Sequence, residues 1–179
     1  MEKTKTKKLK VSNLLKYISL FLIVLSIVAY FFPFLTFTSP ATFQQTHYSG
    51  LDFTTALISN EQTLRILEVK SFFENELTSV TSYVIAIMGP VCCVYSLIVF
   101  ALTMLSFFKP KLNNIFVLGG FFVVWIVLAI SVVAFVGSMG VTRGEFVVNN
   151  YSLNFGIALG VLLVLTASVL NIFANLLAE

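Results

Sequence analysis

The chain has 179 residues, a net charge of +3 at neutral pH, 58% hydrophobic residues and only 11% charged ones; its mean hydropathy is +0.97. Soluble domains carry roughly 25% charged residues, so a soluble domain is excluded as a description of the whole. The lysine excess does not signal nucleic-acid binding, because six of the eleven basic residues stand in the first sixteen positions, where membrane topology accounts for them.

Four stretches carry no charge at all: 17–51, 77–108, 112–142 and 146–178, of 35, 32, 31 and 33 residues. A bilayer's hydrocarbon is about 30 Å thick and takes about 20 helical residues to cross. The composition therefore predicts an all-α membrane fold, a four-helix transmembrane bundle with a small extracellular cap.

In chain order, residues 1–16 form a basic tail on the cytoplasmic side. Span 1 covers 17–37, with Pro33 ending or kinking its helix near the outer end. Its apolar run is too long for a signal peptide's hydrophobic region and no small-residue cleavage site follows, so it reads as a retained span. An extracellular loop, 38–82, comes next. Its early part, 36–48, is rich in Thr, Phe and Gln and reads as extended chain. Ser49-Gly-Leu-Asp52 has the spacing of a helix start, with serine as cap, and Ser59-x-x-Gln62 is a second capping match. An amphipathic helix over 62–77 follows, with Ile66, Val69, Phe73 and Leu77 at helical spacing as candidate docking residues.

Span 2 covers 83–107 and contains Gly89-Pro90. A cytoplasmic turn, 108–114, leads to span 3 over 115–139. Between Ile115 and Val136, sixteen of twenty-two residues are Ile, Leu, Val or Phe. Residues 140–154 form the second extracellular loop, where Asn149-Asn150 between short apolar runs is compatible with a hairpin. Span 4 covers 155–177. Lysine and arginine near the span ends divide eight to three in favour of the side that holds the tail and the 108–114 turn. The positive-inside rule then places both termini in the cytoplasm of a multi-pass plasma-membrane protein.

Spans bounded in this way hold no acid, base or histidine. Proton relays, ion coupling and voltage sensing need ionisable groups at membrane depth, so those classes are disfavoured. Enzymatic activity is not expected. The single histidine, His47, lies in a loop, no Ser-His-Asp set or metal-binding motif is present, and the adjacent cysteines lack Cys-x-x-Cys spacing. No catalytic, metal or cofactor residues are assigned.

What the spans do carry is small and polar faces. In span 2 these are Ala86, Gly89, Cys93 and Ser96. In span 4, Gly156-x-x-x-Gly160 is followed by Ser168, Asn171 and Asn175 on one side. Small residues let helix backbones approach and asparagines bond across helices in lipid, so these nine are candidates for packing within the bundle or for an interface with another subunit. The leading expectation is a non-enzymatic accessory, scaffold or assembly subunit that binds another integral membrane protein, or itself, within the lipid bilayer. Alternatives are a small transport or channel component acting as an oligomer, and an immunity or resistance protein.

The layout of four spans, a long first outside loop and a shorter second one resembles the claudin and peripheral-myelin tetraspan group. Tyr48-Ser-Gly-Leu-Asp52 stands where that group has its Trp…Gly-Leu-Trp motif, with both tryptophans and both loop cysteines absent. The resemblance implies that the two outside loops share a small antiparallel sheet, with 36–48 and 146–153 as its strands.

Overall fold

In a computed structural model, residues 2–59, 64–74, 76–109, 115–143, 146–148 and 150–178 are described. Among these described residues six helices and five strands follow in the order α1 (Glu2–Ala29), β1 (Pro33–Thr38), β2 (Gln45–Ser49), α2 (Gly50–Ile58), α3 (Leu64–Glu74), α4 (Glu76–Leu105), α5 (Ile115–Ser138), β3 (Val141–Arg143), β4 (Phe146–Val148), β5 (Tyr151–Leu153) and α6 (Phe155–Ala178). Four helical stretches are long and apolar enough to cross a membrane: Lys8–Ala29, Ser79–Leu105, Ile115–Ser138 and Phe155–Ala178. The chain is a membrane protein with four candidate spans.

Three expectations need correction. Span 1 does not run helically to Phe37. The helix ends at Ala29, a turn carries Tyr30–Phe32, and Pro33 opens β1. Proline supplies no backbone N–H and disfavours helical geometry in the residue before it, and the Phe-Leu-Thr-Phe-Thr run that follows suits a strand. At its other end α1 reaches back to Glu2, so the basic tail is the first part of the same helix.

The long loop is also more helical than expected at its end. Leu64–Glu74 forms α3, and α4 begins at Glu76 rather than in the eighties. The Ser59-x-x-Gln62 match falls largely outside the described residues, and Ser59 closes α2. The Ser49 start is as the spacing predicts: Ser49 Oγ accepts from the Asp52 backbone, and the Asp52 carboxylate accepts from the Ser49 N–H at 2.7 Å, a reciprocal cap.

Third, the runs flanking Asn149-Asn150 do not pair with each other. β4 pairs with β3, whereas β5 leaves that hairpin and pairs antiparallel with β1. The main sheet has the order β2-β1-β5, so the segment after span 1 and the segment before span 4 both contribute to it, with Leu35 opposite Leu153 and Tyr48 opposite Leu35 on its other neighbour. The cap thus contains both sheet and helices.

Within the bundle α1 packs chiefly on α6, and α4 on α5. Three contacts give the register of α1 against α4: Lys16 with Ser106, Ser26 with Ser96, and the Tyr30 ring with Gly89. The thirteen residues of α4 before Gly89 therefore rise beyond the end of α1, roughly 20 Å at 1.5 Å per residue. They form a post against which α2 and α3 pack.

Candidate functional site: a cap anchor and a buried lysine

The cap is joined to the bundle at Pro90, which stands inside α4. A helical proline lacks the N–H that would bond the carbonyl four residues back, here that of Ala86. Thr54 of α2 replaces it: its Oγ1 donates to Ala86 O at 2.9 Å, and Tyr30 Oη lies 2.6 Å from the same Oγ1. A chain Tyr30 Oη–H to Thr54 Oγ1–H to Ala86 O closes the gap that proline opens, the kind of replacement that makes proline tolerable in membrane helices. The Tyr30 ring sits between Gly50 and Gly89, and a Cβ on either glycine would collide with it. Glycine is needed at both positions because two helix backbones approach one ring.

Above this anchor an aromatic cluster fills the cap. Phe53, Phe72, Phe135, Tyr151 and Tyr48 are linked by ring-centroid separations of 5.0 to 6.0 Å, mostly edge to face. They come from α2, α3, α5, β5 and β2, so one cluster ties five elements together. Tyr48 Oη donates to Glu68 Oε2 at 2.8 Å. Burial pushes the Tyr151 phenol up to about 12, and the Glu68 carboxylate adds to the shift.

Of the candidate docking residues, Val69 is fully buried and Ile66 and Phe73 pack against the core from partly covered positions; the Leu77 side chain lies outside the described residues. Phe72, not selected from the sequence, is the hub. Its position three residues after Val69 was the available signal.

At the opposite end of the bundle lies a polar network. Ser12 Oγ donates to Ala174 O at 2.7 Å and Ser19 Oγ to Ala167 O at 3.0 Å, tying α1 to α6. Asn171 Nδ2 donates to Ser19 Oγ at 2.7 Å and to Thr103 Oγ1 at 3.1 Å, bringing α4 into the same cluster. Asn171 Oδ1 is buried and has no hydrogen-bond partner among the described residues. One turn further along α1, Lys16 Nζ donates to Ser106 O at 2.7 Å, just past the end of α4, and lies 5.4 Å from the Phe107 ring centre.

Lys16 falls inside the candidate span Lys8–Ala29, whereas the expected span 1 began one residue after it. It is only 1% exposed, while Leu9, on its terminal side, is 53% exposed and apolar. Lys8 and Lys10, on either side of Leu9, are exposed as well, so Lys16 stands near the end of the exposed apolar belt. Its ammonium sits within the bundle, where the negative end of the α4 dipole and an aromatic face receive it. Lys16 was assigned to the tail because a basic residue next to an apolar run reads as the membrane boundary. Its face gives the missed signal: Ser12, Lys16, Ser19 and Ser26 recur at helical spacing, and all four are buried.

The small and polar faces are turned inward as well. Gly160 packs on the Trp125 ring, Gly156 on the Phe32 and Pro33 carbonyls, and Gly89 on Tyr30. Ser96 Oγ donates to Cys92 O at 2.7 Å and Ser168 Oγ to Leu118 O at 3.5 Å. Ala86 is buried, while Cys93 and Asn175 are half-buried. Among the described residues no three metal-ligating side chains come together. Family models, curated proteins and solved structures were all compared with the chain, and none matches it.

Proposed function

We propose that this protein is a non-enzymatic integral membrane subunit, with both termini in the cytoplasm of the plasma membrane, that binds another membrane protein through its extracellular cap. Phe43 carries this reading. It stands at the turn between β1 and β2, is 79% exposed, and adopts φ 56°, a left-handed conformation that non-glycine residues rarely take. The turn is closed by Phe43 N–H to Ser39 O at 2.8 Å and Ser39 N–H to Gln44 O at 2.9 Å. A strained backbone that displays an aromatic ring to the outside is a feature expected of a binding site rather than of packing. Ile58 at the end of α2, equally exposed, adds a second apolar point outside the four candidate spans.

A photo-crosslinking residue at position 43 should capture one discrete partner in cells. Phe43→Ser should abolish co-purification with that partner while leaving the isolated protein's thermal stability within about 1 kcal/mol. A protein that remains alone after crosslinking at 43 and at 58 would sink the reading. Orientation has its own test: a cysteine at Thr46 should react with an impermeant reagent from outside, and one at Lys111 should not.

One observation favours a second reading, a small transport or channel component. A buried ionisable group inside a membrane span is a functional candidate, and Lys16 is buried within the candidate span Lys8–Ala29. Flux through liposomes containing the pure protein, lost in Lys16→Met, would support it over the subunit reading.

A further inference from the structure

The inner polar network faces the bundle, but α1 shows a different set of residues on its outside. Lys10, Leu14, Tyr17 and Phe21 share one exposed stripe, opposite the face that carries Ser12, Lys16 and Ser19. Tyr17 is 62% exposed and meets Phe107 at a ring-centroid distance of 4.9 Å, across the seam between α1 and the end of α4. Lys10 lies two helical turns, about 10 Å, to the terminal side of Tyr17 on the same stripe. Lys109, also exposed, follows Phe107 by two residues, with its N–H on Leu105 O at 3.0 Å. Phe108 between them is 87% exposed.

We propose that this seam, with Lys10 and Lys109 above the Tyr17–Phe107 ring pair, binds the phosphate headgroup of an anionic phospholipid. Three features fit that occupant. Two exposed lysines, one two turns along α1 from Tyr17 and one two residues after Phe107, stand towards the end of the exposed apolar belt, where headgroups lie. Leu14, Tyr17 and Phe21 continue from Lys10 into the belt as a track for an acyl chain. Among the described side chains the charge is one-sided: Lys8, Lys10 and Lys109 are exposed at this end, while the acidic ones, Asp52, Glu68 and Glu74, all belong to the cap. A neutral or cationic partner would gain nothing from that arrangement.

The test uses the full chain in a neutral maltoside detergent, titrated with phosphatidylglycerol or phosphatidylcholine and read by native mass spectrometry. Phosphatidylglycerol should be retained and phosphatidylcholine should not. With about 1 kcal/mol for each basic residue near a headgroup, the double variant Lys10→Gln/Lys109→Gln should weaken phosphatidylglycerol retention roughly 30-fold. Lys8→Gln removes another exposed lysine, on the other side of α1, and should weaken it less than about threefold. Unchanged retention in the double variant, an equal loss in Lys8→Gln, or equal retention of the two lipids would each overturn the proposal. An equal loss in Lys8→Gln would mean diffuse attraction to a basic surface instead of a seat.

Discussion

The two ends of the molecule are held together in opposite ways. At the terminal end, α1, α4 and α6 are joined by side-chain hydrogen bonds: Ser12, Lys16 and Ser19 donate to the carbonyls of Ala174, Ser106 and Ala167, and Asn171 donates to Ser19 and Thr103. At the cap end, aromatic rings from five elements pack on one another around Phe72. The difference follows from the solvent. Inside a bilayer, burying leucine against leucine gains little, because lipid tails are equally apolar, so partner choice falls to polar bonds and close backbone contact. Beyond the hydrocarbon, water restores the hydrophobic driving force, and large rings bury the most area per side chain. The Tyr30–Thr54–Ala86 chain stands at the boundary and uses both means.

The sharpest way to break this contrast is through the cap. Phe53→Ala removes a fully buried ring that touches both Phe72 and Phe135. A loss of about 3–5 kcal/mol is expected in reversible denaturation, with the bundle's helical signal retained while the cap becomes protease-sensitive. Simultaneous loss of bundle and cap would show that the two ends are one cooperative unit.

A smaller effect is expected at the junction. Thr54→Val keeps the shape but leaves the Ala86 carbonyl without its donor. That should cost about 1–3 kcal/mol, and Pro90→Ala, which restores the helical N–H, should recover part of it. A double-mutant cycle measures the recovery, and strict additivity would disprove the link between Thr54 and Pro90.

In the terminal half, Asn171→Leu removes two hydrogen bonds and an unpartnered oxygen. At the values measured for bonds between membrane helices, about 1–2 kcal/mol should be lost, well below the cap substitution. Lys16→Met should change thermal stability by less than about 1 kcal/mol, because the relief of a buried charge offsets the loss of its bond to Ser106 O. A marked destabilisation would make Lys16 a structural clamp and remove the main support for the transport reading.

An effect confined to a narrow range of conditions is expected with pH. Tyr151 has its folded phenol pushed up to about 12 from 10.0, so folding favours the neutral form. Its contribution is complete below pH 10 and is lost as pH rises from 10 towards 12. Tyr151→Phe should flatten cap stability across that window only.

The four helices were legible because membrane insertion is a local rule: a charge-free run of sufficient length specifies a span whatever surrounds it. Span 3 and span 4 are the clearest cases, and the Ser49-to-Asp52 cap was as readable because its hydrogen bonds join residues three apart. Other features depended on partners far away in sequence. Pro33 could be read as ending a helix, but the pairing of β1 with β5 joins Leu35 to Leu153, and no local pattern records it. Asn149-Asn150 looked like a hairpin because short-range signals identify strands without naming their neighbours. Lys16 looked like a boundary because charge next to an apolar run usually marks one. Only the placement of the Ser106 carbonyl and the Phe107 ring beside it made burial of that charge possible. The sequence by itself determined that four stretches are apolar and long enough to cross a bilayer, since that follows from composition over about 20 residues. The tertiary structure decided which polar groups face inward and which strands pair, because those depend on contacts between segments up to 162 positions apart.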